Sequence, residues 1–174
     1  MAQLAIKGGK ALFRGFWPDW PVYGEEDKKA LLEVLESRNW GGYPAPNTRA
    51  REFSAAFAAA HDARYGIAAA NGSVTLEVAL RAAGIKAGDE VIVTPYSWIA
   101  TAGAPVLVNA VPVFADIDPD TYCLSPRAVE EAITDRTRAV ICVHLGCAMA
   151  DLDVLVELCR RKNLILIEDC AHMH

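Results

Sequence analysis

Leu164-Ile165-Leu166-Ile167-Glu168-Asp169-Cys170-Ala171-His172 decides how this chain folds. Four branched apolar residues in a row predict a strand buried on both faces, as in parallel sheets covered by helices. Two carboxylates and a histidine follow directly. Open α/β sheets bind ligands in the crevice beyond the carboxyl ends of their strands. A charge at the end of a buried strand needs a partner, so a carboxylate there has something cationic to hold.

Upstream, short apolar runs alternate with helical patterns. Tyr65 to Ala70, Glu90 to Thr94, Val111 to Ala115 and Ala139 to Val143 read as further strands. Thr75 to Ala83, Ile99 to Val108, a segment opened by Ser125-Pro126, and Met149 to Lys162 read as the helices between them. A serine cap followed by proline at the first helical position is a strong start signal. Five strands with helices between four successive pairs predict an α/β layer, a mainly parallel sheet with helices on both faces. Before it, Glu25 to Arg38 reads as a helix with acids in its first turn, ended by Asn39-Trp40-Gly41-Gly42-Tyr43-Pro44. Thr48 to His61 reads as a second helix, with Phe53 and Phe57 four apart. Phe13 to Gly24 is aromatic but broken by Pro18 and Pro21, so it reads as an arm without regular structure.

The 174 residues are enough for one domain or a large piece of one. A hydrophobic content of 53% supplies ample core, and a net charge of −5 argues against nucleic acid or an anionic membrane surface as the main partner. The start has no run resembling a signal peptide, and no segment approaches a membrane span. Cys123, Cys142, Cys147, Cys159 and Cys170 are an odd count without a CxxC, which reads as reduced thiols of a cytoplasmic protein.

Three signals sit just past strands. Asn71-Gly72-Ser73 opens a helix, where glycine admits a close ligand and free amides favour a phosphate; the same composition also serves merely to turn the chain. Trp98 offers a flat indole for stacking, or is a core tryptophan. Asp169 suits a pyridinium nitrogen, which a carboxylate keeps protonated, or else an ion pair or helix cap. His172, three residues on, is in reach of an oxygen substituent on the same ring. His144 either lines this cleft or packs. A metal held by Asp169, Cys170, His172 and His174 is a further alternative, although the spacing fits no common zinc pattern. A single phosphorylated, planar, cationic heterocycle touches all three signals, and pyridoxal 5'-phosphate fits that description.

With these residues the chain resembles the pyridoxal-phosphate aminotransferases of the DegT/DnrJ/EryC1/StrS family, of fold type I. The carriers are Trp17-Pro-Asp-Trp-Pro, Arg38-Asn-Trp-Gly-Gly, Asn71-Gly-Ser, the run from Asp89 to Thr101, the run from Val113 to Cys123, Met149-Ala-Asp-Leu-Asp and Ile167-Glu-Asp-Cys-Ala-His. The resemblance implies that the backbone of Gly72 and Ser73 holds the phosphate and that Trp98 stacks on the pyridine ring. It implies that Asp169 pairs with the ring nitrogen and that His172 sits near the ring hydroxyl. The chain most resembles the branch that aminates scyllo-inosose and 2-deoxy-scyllo-inosose in aminoglycoside antibiotic biosynthesis. There an amino group passes from glutamine or glutamate to a keto-cyclitol or keto-sugar, in a homodimer. A branch making 3-amino-5-hydroxybenzoate is the runner-up, and a non-catalytic remnant or scaffold is the rival of another class.

The resemblance further implies an N-terminal arm, 1–24, and the N-terminal part of the cofactor-binding large domain, 25–174, without the small C-terminal domain. The Schiff-base lysine of the family follows the aspartate, whereas the last lysine here, Lys162, precedes Asp169. No catalytic residue is therefore assigned within 1–174, and the chain alone is expected to be inactive. His144-Leu145-Gly146-Cys147 has Gly-Cys where the family shows an aromatic then glycine. In the implied sheet the order is Val111–Ala115, Glu90–Thr94, Ala139–Val143, Leu164–Glu168. Two absent strands then separate these from Tyr65–Ala70, an arrangement expected to leave exposed edges and a poorly stable chain.

Overall fold

Val91, Ile92 and Val93 are fully buried, as are Ala139 to Cys142, and these two runs form the centre of a sheet. The computed structural model describes residues 3–13, 15–41 and 47–173. By its internal contacts the chain divides into two units, Met1–Ala68 and Ala69–His174.

The first unit carries helices α1 (Glu25–Ser37) and α2 (Thr48–Ala60). Glu25, Glu26 and Asp27 fill the first turn of α1, and Asp27 accepts the amide N–H of Gly24 at 2.7 Å. Asn47 caps α2 through Ala50, and the Phe53 and Phe57 rings lie 5.5 Å apart. Part of the predicted stop after α1, residues 42–44, lies outside the described residues.

Residues 65–70 form no strand, contrary to the sequence expectation. Gly66 approaches α2 instead, while Tyr65 and Ile67 remain exposed. A Cβ on Gly66 would collide with the carbonyl of Ser54, so glycine permits this close approach. A strand needs a neighbour to receive its backbone groups, and no strand of the described residues pairs with this one.

The second unit is the α/β layer. It runs α3 (Gly72–Ala82), β1 (Glu90–Val93), α4 (Ile99–Leu107), β2 (Val111–Phe114), α5 (Pro126–Ala132), β3 (Thr137–Val143), α6 (Leu152–Lys162) and β4 (Ile165–Asp169). The four strands lie in the order β2-β1-β3-β4, all parallel. The order is the one the resemblance implied for these four segments.

Alternation across the pleat divides the core. Val91, Val93, Ala139 and Ile141 pack with Leu76 and Leu80 of α3 and Ala104 of α4. Ile92, Val140 and Cys142 pack on the other face with Val129 of α5 and Leu155 and Leu158 of α6. Helices therefore cover both faces. Leu80, Ile92, Ile141 and Leu155 are fully buried, and each such side chain contributes about 1.5–3 kcal/mol of hydrophobic stabilisation.

β4 departs from the expectation of burial on both faces. Among the described residues it pairs only with β3, and Ile165 remains 40% exposed. Its apolar run is that of a central strand, but in this structure it is an edge. At the amino end of the sheet the buried Glu90 accepts hydrogen bonds from Thr134 and from Arg136 Nε, the latter at 2.9 Å. These contacts hold its carboxyl below the usual range, with the Thr134 hydroxyl the largest cause and Arg136 next.

Candidate functional site at the carboxyl edge of the sheet

Because all four strands run in parallel, their carboxyl ends share one edge. α3 precedes β1 and packs back along it, so its amino terminus lies toward that same edge. Crossover helices of a parallel sheet run opposite to its strands.

Asp169 ends β4, half-buried, and its side chain turns to the α3/α4 face. Its Oδ2 accepts the Thr101 hydroxyl at 3.0 Å, and its Oδ1 accepts the Ala171 amide N–H at 3.3 Å. Thr101 is itself buried, and its oxygen lies 3.0 Å from Ser97 Oγ. A carboxylate is acceptor-only, so the Thr101 proton points to Asp169 and the Ser97 hydroxyl donates to Thr101. Asp169 caps no helix and forms no ion pair among the described residues, which removes both structural alternatives read from the sequence. A carboxylate offers about four lone-pair sites, so about two remain for a cationic N–H donor.

Glu168, one residue earlier, faces the other side. Its Oε2 lies 3.1 Å from Nε2 of the buried His144, whose Nδ1 accepts the Ala150 amide N–H at 3.2 Å. The Nδ1 acceptor role places the ring proton on Nε2, where it is donated to Glu168. His144 is thus a packed histidine, the second of its two sequence readings.

Trp98 is the residue preceding α4 and is 75% exposed, so it is not a core tryptophan. Its carbonyl accepts the Thr101 amide N–H at 3.1 Å, which ties the indole-bearing turn to the residue that holds Asp169. Gly72 and Ser73 open α3, and the Asn71 side chain caps the helix by accepting from Val74 at 3.1 Å. The first two amides of a helix have no partner within it. A Cβ built on Gly72 meets nothing within 4 Å, which leaves open space beside the backbone at that terminus.

His172 accepts the Gly146 amide N–H on Nδ1 at 3.1 Å. The proton is thereby on Nε2, free to be donated to an oxygen. Gly146 has φ of 58°, so the Gly-Cys pair that departs from the family pattern supports His172 through a left-handed turn. Cys147 lies on the same turn, and its thiol donates to the His172 carbonyl at 3.4 Å.

The metal alternative is rearranged. His174 lies outside the described residues, and Asp169 and His172 are not grouped with Cys170. The ligand-type atoms that converge among the described residues are those of His144, Glu168 and Cys170, within 4.8 Å of one another. The His144–Glu168 hydrogen bond accounts for that convergence. Burial, followed by Glu168 and Asp169, raises the Cys170 thiol above its ordinary value, so it is poorly prepared as a thiolate ligand.

Sequence reading did not single out Ser97 or Thr101. Their only signal was a spacing of four residues, about one helical turn, with Thr101 in α4 and Ser97 just before it. Tyr96 and Tyr122 were also missed; their rings stand 5.8 Å apart at this edge.

A model of the DegT/DnrJ/EryC1/StrS aminotransferase family matches residues 21–174. A relative from Micromonospora echinospora, named as an L-glutamine:3-amino-2,3-dideoxy-scyllo-inosose aminotransferase, is 56% identical over 99% of this chain and 41% of its own length. The crystal structure of 3-amino-5-hydroxybenzoic acid synthase superposes with a TM-score of 0.85 at 35% identity, over 91% of this chain and 41% of that one. NtdA from Bacillus subtilis, with bound cofactor PMP, gives a TM-score of 0.79 at 32% identity, over 86% of this chain and 33% of that one. The chain spans about two-fifths of the length of the curated relative.

Proposed function

The chain belongs to the DegT/DnrJ/EryC1/StrS aminotransferase family, and on that premise we propose that it serves a pyridoxal 5'-phosphate-dependent transfer of an amino group from glutamine to a keto-cyclitol of the inosose type. Aminoglycoside antibiotic biosynthesis is the setting this reading implies, with a cytoplasmic homodimer as its working form. The observation that carries it is Asp169: a half-buried carboxylate at the carboxyl edge of a parallel sheet, oriented by Thr101 and without a cationic partner among the described residues.

The residues present fit the cofactor. Asp169 has acceptor sites left for a pyridinium N–H, and the open space at Gly72 lets a phosphate reach the amides of Gly72 and Ser73. The exposed Trp98 offers its indole face to a flat ring, and His172 offers an Nε2 proton to a ring oxygen. Bound there, pyridoxal phosphate supplies an electron sink for the carbon that bears the migrating amino group. Asp169 keeps the pyridine nitrogen protonated, and the Ser97–Thr101 hydroxyl pair holds that carboxylate in one orientation.

The 56% identity with the inosose enzyme against 35% with the hydroxybenzoate synthase favours the cyclitol over the aromatic product. The test is incubation of the protein, expressed from its complete reading frame, with pyridoxal phosphate, glutamine and an inosose, with mass detection of the aminated ring. Amine appearing in the unaltered protein and falling at least a hundredfold in Asp169→Asn, with cofactor uptake weakened and the circular dichroism unchanged, is the expected result. Near-normal turnover in Asp169→Asn refutes the cofactor assignment.

A further inference from the structure

His144 is buried, and both nitrogens of its ring are engaged. It follows β3, and its amide donates to the Asp169 carbonyl at 3.2 Å, which extends the β3–β4 ladder past the last strand pair. Nε2 donates to Glu168 at 3.1 Å, and Nδ1 accepts the amide of the buried Ala150 at 3.2 Å. One residue thus bonds to both acids that end β4 and to the far end of loop 145–150, which leads into α6. Ala150 belongs to the core on the α5/α6 side, so the ring sits behind the face to which Asp169 turns.

The loop that His144 holds is under tension. Gly146 and Cys147 are consecutive left-handed residues, with φ of 58° and 65°. A side chain such as that of Cys147 stays in this conformation only where its surroundings hold it. Within the loop the Ala148 amide donates to the Leu145 carbonyl at 2.9 Å, and from below the buried Cys123 thiol donates to the Ala148 carbonyl at 3.3 Å. The result is delivered to His172. The Gly146 amide donates to its Nδ1 at 3.1 Å, and the Cys147 thiol to its carbonyl at 3.4 Å. His172 is exposed, and a neutral imidazole carries its proton on either nitrogen. A donor aimed at Nδ1 sends that proton to Nε2.

We propose that His144 is a positioning residue for His172: from behind the site it clamps the loop whose Gly146 amide decides which nitrogen of His172 carries the proton. The contacts run from His144 Nδ1 to the Ala150 amide, back along the loop to Gly146, and from the Gly146 amide to His172 Nδ1. Glu168 takes part by fixing the tautomer of His144. With the His144 proton on Nε2 and donated to the carboxylate, Nδ1 remains an acceptor for Ala150. Without the clamp the left-handed turn relaxes, the Gly146 amide leaves Nδ1, and His172 offers its proton from either nitrogen. The value of an Nε2 proton to a ring oxygen rests on the cofactor reading above, whereas the tautomer of His172 is a property of the chain alone.

Nitrogen NMR of the histidine-labelled protein, expressed from its complete reading frame and free of cofactor, reads the tautomer of His172. Its signals are identified by their loss in His172→Gln. The form protonated on Nε2 is expected to predominate in the unaltered protein. His144→Gln keeps a donor for Glu168 but leaves the Ala150 amide without its acceptor. It is expected to mix the two forms of His172 and to weaken pyridoxamine phosphate binding about fivefold, the worth of one neutral hydrogen bond. His144→Asn carries its amide oxygen where Nδ1 stood, and is expected to restore the Nε2 form and most of the affinity. His172 unchanged in a folded His144→Gln, even with a lowered Tm, marks a histidine that only stabilises and overturns the proposal. A folded His144→Asn that does no better than His144→Gln overturns it too. Amide hydrogen exchange of the unaltered protein tests the clamp without any substitution: Ala150 is expected to be protected like the amides of β3, and exchange at the rate of an open turn overturns the proposal. Failure of the unaltered protein to bind pyridoxamine phosphate overturns the cofactor reading instead, and the His172 tautomer still decides the role of His144.

Discussion

Replacing Thr101 by valine removes one hydroxyl and retains the β-branched shape that suits its place in α4. Two hydrogen bonds disappear, one donated to the Asp169 carboxylate and one accepted from Ser97, each 3.0 Å long. A bond to a charged group contributes about 1.5–3 kcal/mol and a neutral one about 0.5–1.5 kcal/mol. Asp169 and Ser97 are half-buried, so water replaces part of what each loses and the lower ends of both ranges apply. The expected loss is about 2 kcal/mol, a shift of roughly 10 °C in Tm for a unit of this size. Urea unfolding followed by circular dichroism measures it. Thr101→Ser keeps the hydroxyl and is expected to recover the larger part. Ser97→Ala removes only the neutral bond and is expected to cost about 0.5 kcal/mol. A change below about 0.5 kcal/mol in Thr101→Val, within the range of ordinary surface substitutions, refutes the claim that this hydroxyl anchors Asp169.

Leu155→Ala empties a fully buried position between α6 and the sheet and is expected to cost about 2–5 kcal/mol by the same denaturation assay. Glu90 has a folded-state pKa lowered from 4.5, so its contribution is present above that value and is lost as pH falls through the lowered one. Thermal melts of Glu90→Gln are therefore expected to show lower Tm at neutral pH and a flatter decline below about pH 4.5 than the unaltered chain. Burial pushes the Cys142 thiol up to about 12, whereas Cys147 is exposed. Brief iodoacetamide treatment at pH 8, read by mass spectrometry, is expected to label Cys147 first, and to reach Cys123, Cys142 and Cys159 only on unfolding.

The helices were legible because their signals are local. Ser125-Pro126 opened α5 as read, and the acids at 25–27 opened α1. The central strands were legible because Val91-Ile92-Val93 and Val140-Ile141-Cys142 lack any solvent-facing position. Residues 65–70 misled for the complementary reason. An apolar run states a preference for burial, but whether it becomes strand depends on a neighbour far away in sequence, and here only Gly66 packs closely on α2 while Tyr65 and Ile67 stay exposed. At the site, Asp169 and Trp98 stood out because a carboxylate and an indole at strand ends are conspicuous in any sequence. Thr101 did not, since a threonine in an apolar helix looks like ordinary packing until the chain folds and brings it to a residue 68 positions away. Tyr122 was hidden more completely. Its left-handed backbone comes from the hydrogen bonds of Asp118, which no composition rule reports.

The division of Glu168 and Asp169 between the two sides of the sheet makes the pairing of β4 with β3 a kind of address. Ile167 sits opposite Ile141 and Asp169 opposite Val143. A slip of one residue preserves the parallel ladder and the apolar character of the strand, yet it sends each carboxylate to the opposite face. Slipped one way, Glu168 takes the place of Asp169 opposite Val143, on the side of Thr101; slipped the other way, Asp169 takes the place of Glu168 opposite Cys142, on the side of His144. An insertion or deletion at the left-handed Asn163 turn, which joins α6 to β4, is thus a change of chemistry delivered from the opposite end of the strand. The spacing between Asn163 and Asp169 is as much a part of the site as any side chain that touches it.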